Sequence, residues 1–152
     1  MSALGNLVWF VFGGAVMALA WLAAGLLMCV TVVGLPWGRA CFTMANLAAL
    51  PFGRDAVPRG DLGKADLGTG GLGTLGNVIW FLLAGLWLAL GHAAAGVLYC
   101  VTIIGMPFGI QHFKLGGLAL APVGKQIVSK GVARLAADDA AKRRYEQLRG
   151  NA

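Results

Sequence analysis

Few side chains in this sequence could take part in chemistry, and the two histidines are the first to consider. His92 lies inside a long uncharged segment. His112 lies near the end of the same segment, after the Gly-Met-Pro sequence at 105–107. A zinc site would need both rings and a cysteine such as Cys100 to converge as a tetrahedron, but their spacing matches no recognised metal signature. We therefore expect no metal and no other cofactor. His92 is expected to pack through a hydrogen bond or to belong to a proton or ion path.

Two short clusters of polar residues could line a water-filled path. In the first cluster the polar residues recur at i, i+4 and i+7, so they share one helix face. The second cluster is a run of neighbouring polar residues near position 112. Such faces are costly next to lipid and must meet water, headgroups, the protein interior or a cavity. The candidate residues for a pore or polar face are Arg39, Thr43, Asn46, His92, Gln111, His112 and Lys114.

The composition identifies an integral membrane protein. Apolar residues make up 59% of the chain and charged residues 12%, whereas a soluble domain usually carries about 25% charged residues. No charged side chain lies between Met1 and Arg39 or between Asp66 and Lys114, and each run exceeds the roughly 20 residues that span a bilayer. No Ser/His/Asp or Cys/His arrangement has the context of a catalytic site, so we expect no enzymatic activity.

The chain is a tandem duplication. Residues 6–57 align without gaps with residues 77–128, and 22 of the 52 positions are identical. Internal repetition of this kind organises the whole chain. It predicts a first membrane repeat at 1–57, a Gly-rich flexible linker at 58–76, a second membrane repeat at 77–128 and a basic helical tail in the cytoplasm at 129–152.

A Gly-x-Pro break divides each repeat. Proline lacks an N–H donor and restricts the residue before it, so a long helix ends at the break and a second helix begins there. The residues of this motif are Gly34, Pro36, Gly38, Gly105, Pro107 and Gly109. The predicted fold is an all-α integral membrane protein with two tandem repeats. Each repeat has a long transmembrane helix, the break and a shorter, more polar membrane-embedded helix.

The number of crossings in each repeat decides the topology. If each repeat crosses once, the two copies are inverted and the linker lies opposite the tail. If each crosses twice, the copies are parallel and both termini are cytoplasmic. We favour the parallel arrangement, because Arg54 and Lys125 end the two repeats and are both basic, and basic residues collect on the cytoplasmic side. The shorter second helices could instead be re-entrant or interfacial.

The repeated residues resemble the signature of the YccF family of bacterial inner-membrane proteins. The resemblance rests on an N-x-x-W-F motif, a T-[IV]-[IV]-G-x-P-[FW]-G break and a Q-x-F-K-L continuation, and it covers about residues 6–128. The first copy departs from the pattern, since Arg39-Ala40-Cys41 stands where the second copy has Ile-Gln-His. The resemblance implies a multi-pass protein of the bacterial inner membrane, and it implies no established activity.

Two classes of function fit these features. The first is an oligomeric ion channel or passive transport pore, which needs several copies because one chain has too few helices to enclose a wide path. Basic residues near both breaks would make such a pore prefer anions. The second is a non-conducting membrane scaffold or an accessory subunit of another membrane protein. The expected partners are the lipid bilayer, further copies of the chain and small ions, and no nucleic acid.

Overall fold

The computed structural model describes residues 2–150, in which five helices and two strands are the main elements. Two long helices contain one π-helical turn each, at Phe10–Gly14 and Phe81–Gly85. Both are long and apolar enough to cross a membrane. In chain order the elements are α1 (Ser2–Cys29), α2 (Leu35–Ala49), β1 (Arg54–Pro58), α3 (Gly71–Cys100), α4 (Met106–Leu120), β2 (Lys125–Ser129) and α5 (Lys130–Gly150).

The turn after each long helix supplies its own hydrogen-bond partners. Thr31 Oγ1 accepts a hydrogen bond from the Gly34 backbone N–H at 3.0 Å and donates one to the Met28 carbonyl at 3.3 Å. The equivalent residues of the second unit make the same bonds, at 3.0 and 3.4 Å. A Cβ on Gly34 would collide with the Met28 carbonyl. Pro36 and Pro107 occupy the first turn of the next helix, where a backbone N–H has no partner in the helix.

A further glycine in each break lets the two helices of a unit approach closely. A side chain at Gly38 would collide with Cys29 Sγ and crowd the Gly25 carbonyl, and Gly109 packs on Cys100 in the same way. Small residues at helix interfaces allow this close approach in membranes. The break glycines therefore serve packing and chain reversal.

An Asn-x-x-Trp pair closes each unit at its other end. Asn6 exchanges two hydrogen bonds with the backbone of Phe52, at 2.9 and 3.0 Å, and Trp9 Nε1 donates to the Ala48 carbonyl at 2.7 Å. Asn77 and Trp80 repeat these bonds at distances of 2.8 to 3.0 Å. The two side chains lie three residues apart on one helix face. They bind the end of the short helix, where carbonyl groups lack partners within the helix.

The two units lie antiparallel to each other. Trp37, at the break of the first unit, donates to the Gly76 carbonyl near the start of α3 at 3.0 Å. Phe108, at the break of the second unit, stacks on Trp9 and packs edge-on against Phe52. Each break therefore lies at the end of the molecule where the other unit begins.

The contacts of Trp37 and Phe108 contradict the parallel arrangement of the two units that the sequence favours. The cytoplasmic location of the termini stays a prediction. β1 and β2 pair antiparallel, with Arg54 opposite Ser129 and Pro58 opposite Lys125. Arg54 and Lys125 hold equivalent places in the repeats, yet they lie at opposite ends of this ladder.

The all-α expectation is confirmed only in part: most of residues 2–150 are helical, but the β1–β2 ladder joins the two units. Each strand has five residues, and the sequences RDAVP and KQIVS lack the alternation of apolar and polar residues that would signal a strand. The linker expected at 58–76 is partly structured as well. Pro58 ends β1, a 3₁₀ turn covers Arg59–Leu62, and α3 already begins at Gly71.

Contacts between the elements order them in layers. The long helices pack on the short helices, α2 packs on α4 and on both strands, and α5 packs on the strands. The short helices form the most buried layer, where Met44, Leu47 and Leu115 have no exposed surface. We call α1 and α3 the apolar layer, and we call β1, the segment 59–66, β2 and α5 the charged layer.

Replacing Trp80 by phenylalanine tests the closure of the second unit. We expect W80F to lower the free energy of unfolding by about 1–3 kcal/mol, because the buried Ala119 carbonyl loses its donor. Trp87 lies in the same helix with its side chain exposed, so W87F is the matched control and should stay within about 0.5 kcal/mol of the parent. Thermal unfolding of the purified protein in detergent measures both variants. Equal losses for W80F and W87F would contradict this role.

Candidate functional site

The outer face of α2 and the start of β2 border an open polar pocket of about 310 Å³. The polar face predicted from the sequence lies along this cavity, and it meets side chains from the segment after β1 and from β2. The cavity is lined by Arg39, Phe42, Thr43, Asn46, Arg59, Lys125, Gln126 and Ile127. We call it the basic pocket.

Asp66 balances part of the positive charge at the basic pocket. Its two carboxylate oxygens accept hydrogen bonds from Arg39 and Arg59, each at 2.8 Å. The hydrogen bond from Arg59 is the largest cause that lowers the pKa of the Asp66 carboxyl, and the Gly68 N–H also contributes. With Lys125, three cations face one carboxylate, which leaves an excess of two positive charges. This excess suits an anion.

Arg59 is buried and mainly holds the fold together. One of its Nη atoms donates to the Lys125 carbonyl at 3.2 Å, and the other binds Asp66. Among the described residues, its Nε atom has no hydrogen-bond partner. The side chain therefore ties the segment after β1 to the start of β2.

The other two residues of the predicted face are satisfied within the chain. Thr43 Oγ1 donates to the Arg39 carbonyl one turn earlier in α2, at 3.1 Å. Asn46 Oδ1 accepts a hydrogen bond from Arg54 at 3.0 Å. Both side chains line the wall of the basic pocket, and neither is held in place for a ligand.

The polar residues that the sequence singles out in the second unit, in contrast to Lys125 and Gln126 of β2, do not line the basic pocket. Lys114 Nζ donates to the carbonyls of Pro51, at 2.8 Å, and Arg54. It therefore caps the end of the first unit. Gln111 is buried in α4, and its Oε1 atom has no partner among residues 2–150.

His92 and His112 form a buried pair within the second unit. Their Nδ1 atoms lie 3.2 Å apart, a distance at which one ring donates and the other accepts. The rings of Trp9 and Tyr99 flank His112, with centroids 5.1 and 5.2 Å away. An apolar cavity of about 300 Å³ adjoins His112. In the part of the chain that the structure describes, no group of three His, Cys, Asp or Glu side chains is placed to hold a metal ion.

The seven residues predicted for a pore or polar face thus divide among three places. Three line the basic pocket, the histidines and Gln111 lie inside the second unit, and Lys114 joins the units. Sequence reasoning missed Arg59, Asp66, Lys125 and Gln126. Asp66 and Arg59 lie in the segment that the sequence predicts to be a flexible linker, and a charged residue in a Gly-rich segment carries no signal that it folds back onto a helix.

Replacing Asp66 by asparagine tests the charge balance at this pocket. Because the pKa of Asp66 is lowered in the folded protein, its charged form stabilises the fold above the ordinary value of about 3.9. That stability is lost as the pH falls through the lowered value. We expect D66N to have a lower melting temperature than the parent at pH 7, and the difference should narrow below about pH 4. D138N, in exposed α5, is the control and should change little at either pH. A pH-independent difference for D66N would rule out the ion pairs as its cause.

Comparison with known proteins agrees with the family resemblance noted in the sequence. The family model described as the YccF inner membrane component domain matches twice, at residues 4–54 and 75–125. These two matches correspond to the two structural units.

Two relatives match over nearly their whole length. The inner membrane protein YccF of Escherichia coli (strain K12) and that of Shigella flexneri are each 39% identical over 145 residues. The match covers 93% of this chain and 97% of each relative. No solved structure matches the chain. These matches confirm the predicted resemblance and support a location in the bacterial inner membrane: the chain belongs to the YccF family of inner membrane proteins.

Proposed function

We propose that the chain is a non-conducting membrane scaffold that presents its charged layer to another protein. One observation carries this proposal: six of the seven polar side chains expected to line a pore make hydrogen bonds within the chain. Arg39 is paired with Asp66, Lys114 binds two backbone carbonyls, and the histidines bind each other. A conducting path needs polar groups that remain available to a passing ion.

The charged layer offers the surface for a partner. α5 carries six basic and three acidic side chains, a net charge of +3, and its last three turns are exposed. Its basic character suits an acidic surface on a cytoplasmic partner, since basic segments collect on that side of the membrane. The scaffold would then work as an accessory subunit, with the apolar layer as its anchor.

An oligomeric, anion-preferring channel is the competing proposal. The excess of positive charge at the basic pocket favours it, because Arg39 is largely exposed there. The channel would require a homo-oligomer in which the pockets of several copies surround one path. Native mass spectrometry of the purified protein would count the copies.

Ion flux through liposomes decides between these functions. We expect the reconstituted protein to carry chloride and potassium no faster than protein-free liposomes do. R39Q and K114Q should leave this background unchanged, and R149Q, near the end of α5, is the matched control for removal of a surface charge. A chloride flux that falls in R39Q and persists in R149Q would overturn the scaffold in favour of the channel.

A further inference from the structure

Charge is completely segregated between the layers of the fold. Neither long helix contains an Asp, Glu, Lys or Arg residue. The two short helices contain one such residue each, and both side chains reach into the charged layer: Arg39 binds Asp66, and Lys114 binds the Arg54 carbonyl. Every charged group of residues 2–150 therefore belongs to, or contacts, one side of the molecule.

The β1–β2 ladder lies between the starting points of the two long helices. At one end the Lys130 N–H donates to the Gly53 carbonyl, and Gly53 packs beside Ser2 at the start of α1. At the other end the Arg59 N–H donates to the Gly124 carbonyl, and Gly124 packs on Gly68 just before α3. α1 and α3 start at opposite ends of the antiparallel pair. The ladder therefore runs in the same direction as the long helices, beside their central parts.

This geometry conflicts with long helices that stand across the bilayer. In that orientation the ladder would lie at the depth of the bilayer centre, together with Arg54, Asp55 and Lys125. Each strand of a two-stranded sheet also has one edge whose backbone groups bind no other strand. Open sheet edges and unpaired charges are not tolerated next to hydrocarbon. α5, with its nine charged residues, would be buried with them.

The tips of the two breaks are apolar and exposed. Val32 is 83% exposed and Ile103 is 87% exposed, and their neighbours are valine, isoleucine and threonine. A helix that crosses a membrane usually ends in polar or aromatic residues at the headgroups. Here the threonine hydroxyl of each break accepts the hydrogen bond of one glycine N–H, so that group needs no water.

We propose that both long helices lie in the plane of the membrane, inside one leaflet, and that the chain does not cross the bilayer. The apolar layer is one helix thick, about 10–12 Å, and one leaflet holds about half of the 30 Å hydrocarbon core. The leaflet thus contacts the outward faces of α1 and α3 and both break tips. The buried short helices lie above it, near the headgroups, and the charged layer lies in water.

Labelling of single cysteines from one side of the membrane tests this orientation. The native residues Cys29, Cys41 and Cys100 are first replaced by alanine, and a monodisperse elution profile in detergent shows that this background is folded. K64C and K130C then place one thiol near each end of the molecule, both at exposed positions. If the helices lie in the plane, a membrane-impermeant maleimide labels both sites from the same side. Labelling from opposite sides would show that the helices cross and would overturn the proposal.

Depth along α3 gives a second, independent measurement. L75C, L83C and L98C place a fluorophore at exposed positions near the start, middle and end of the helix. Quenching by lipids that carry nitroxides at different depths should give one common depth if the helix lies in the plane. A clearly greater depth for L83C than for both ends would overturn the proposal. Crossing helices without ion flux would leave the scaffold intact, so the two proposals can fail separately.

Discussion

The antiparallel pairing of β1 with β2 is the constraint on which the rest of the structure depends. Each unit alone is a helical hairpin, closed at one end by its break and at the other by its Asn-x-x-Trp pair. The ladder continues directly from both hairpins and joins the two units, which lie end over end relative to each other. Trp37 and Phe108 then meet the start of the opposite unit. The ladder also places the charged residues on one side of the molecule. Each strand follows a short helix, and the charged segments 59–66 and α5 follow the strands.

Side chains take the place of water wherever the backbone is interrupted. A lipid environment offers no hydrogen-bond partners, so each released N–H and C=O group must be satisfied within the protein. Threonine does this at the breaks, tryptophan and asparagine at the ends of the short helices, and Lys114 at the end of the first unit. Many polar residues in the repeats therefore stabilise the fold by binding backbone groups. A polar residue in an apolar repeat is thus weak evidence for an ion path.

The elements that depend on local order could be predicted, and the arrangement that depends on distant pairing could not. The repeat, the long apolar helices and the division at Gly34-x-Pro36 follow from spacing and from proline chemistry, and helices begin and end there. The ladder joins two short, charged segments 71 residues apart, so neither strand has a pattern of its own. Without the ladder, equal charges at Arg54 and Lys125 pointed to parallel units. Only the α2 side of the basic pocket could be predicted from the sequence. Arg59 and Asp66 reach the pocket from a segment that resembles a linker.

The two units diverge most where a cation binds the backbone of the opposite unit. Lys114 binds the Arg54 carbonyl, and the equivalent carbonyl in the second unit is that of Lys125. Thr43 stands in the place of Lys114 in the first unit and is too short to reach it. Arg59 binds the Lys125 carbonyl instead, from the segment after β1. The space left beside the short threonine is lined by these same residues and forms the basic pocket. The pocket therefore lies where the first unit has a threonine and the second unit has a lysine. It has no equivalent at Lys114, so any anion it holds would bind once per chain.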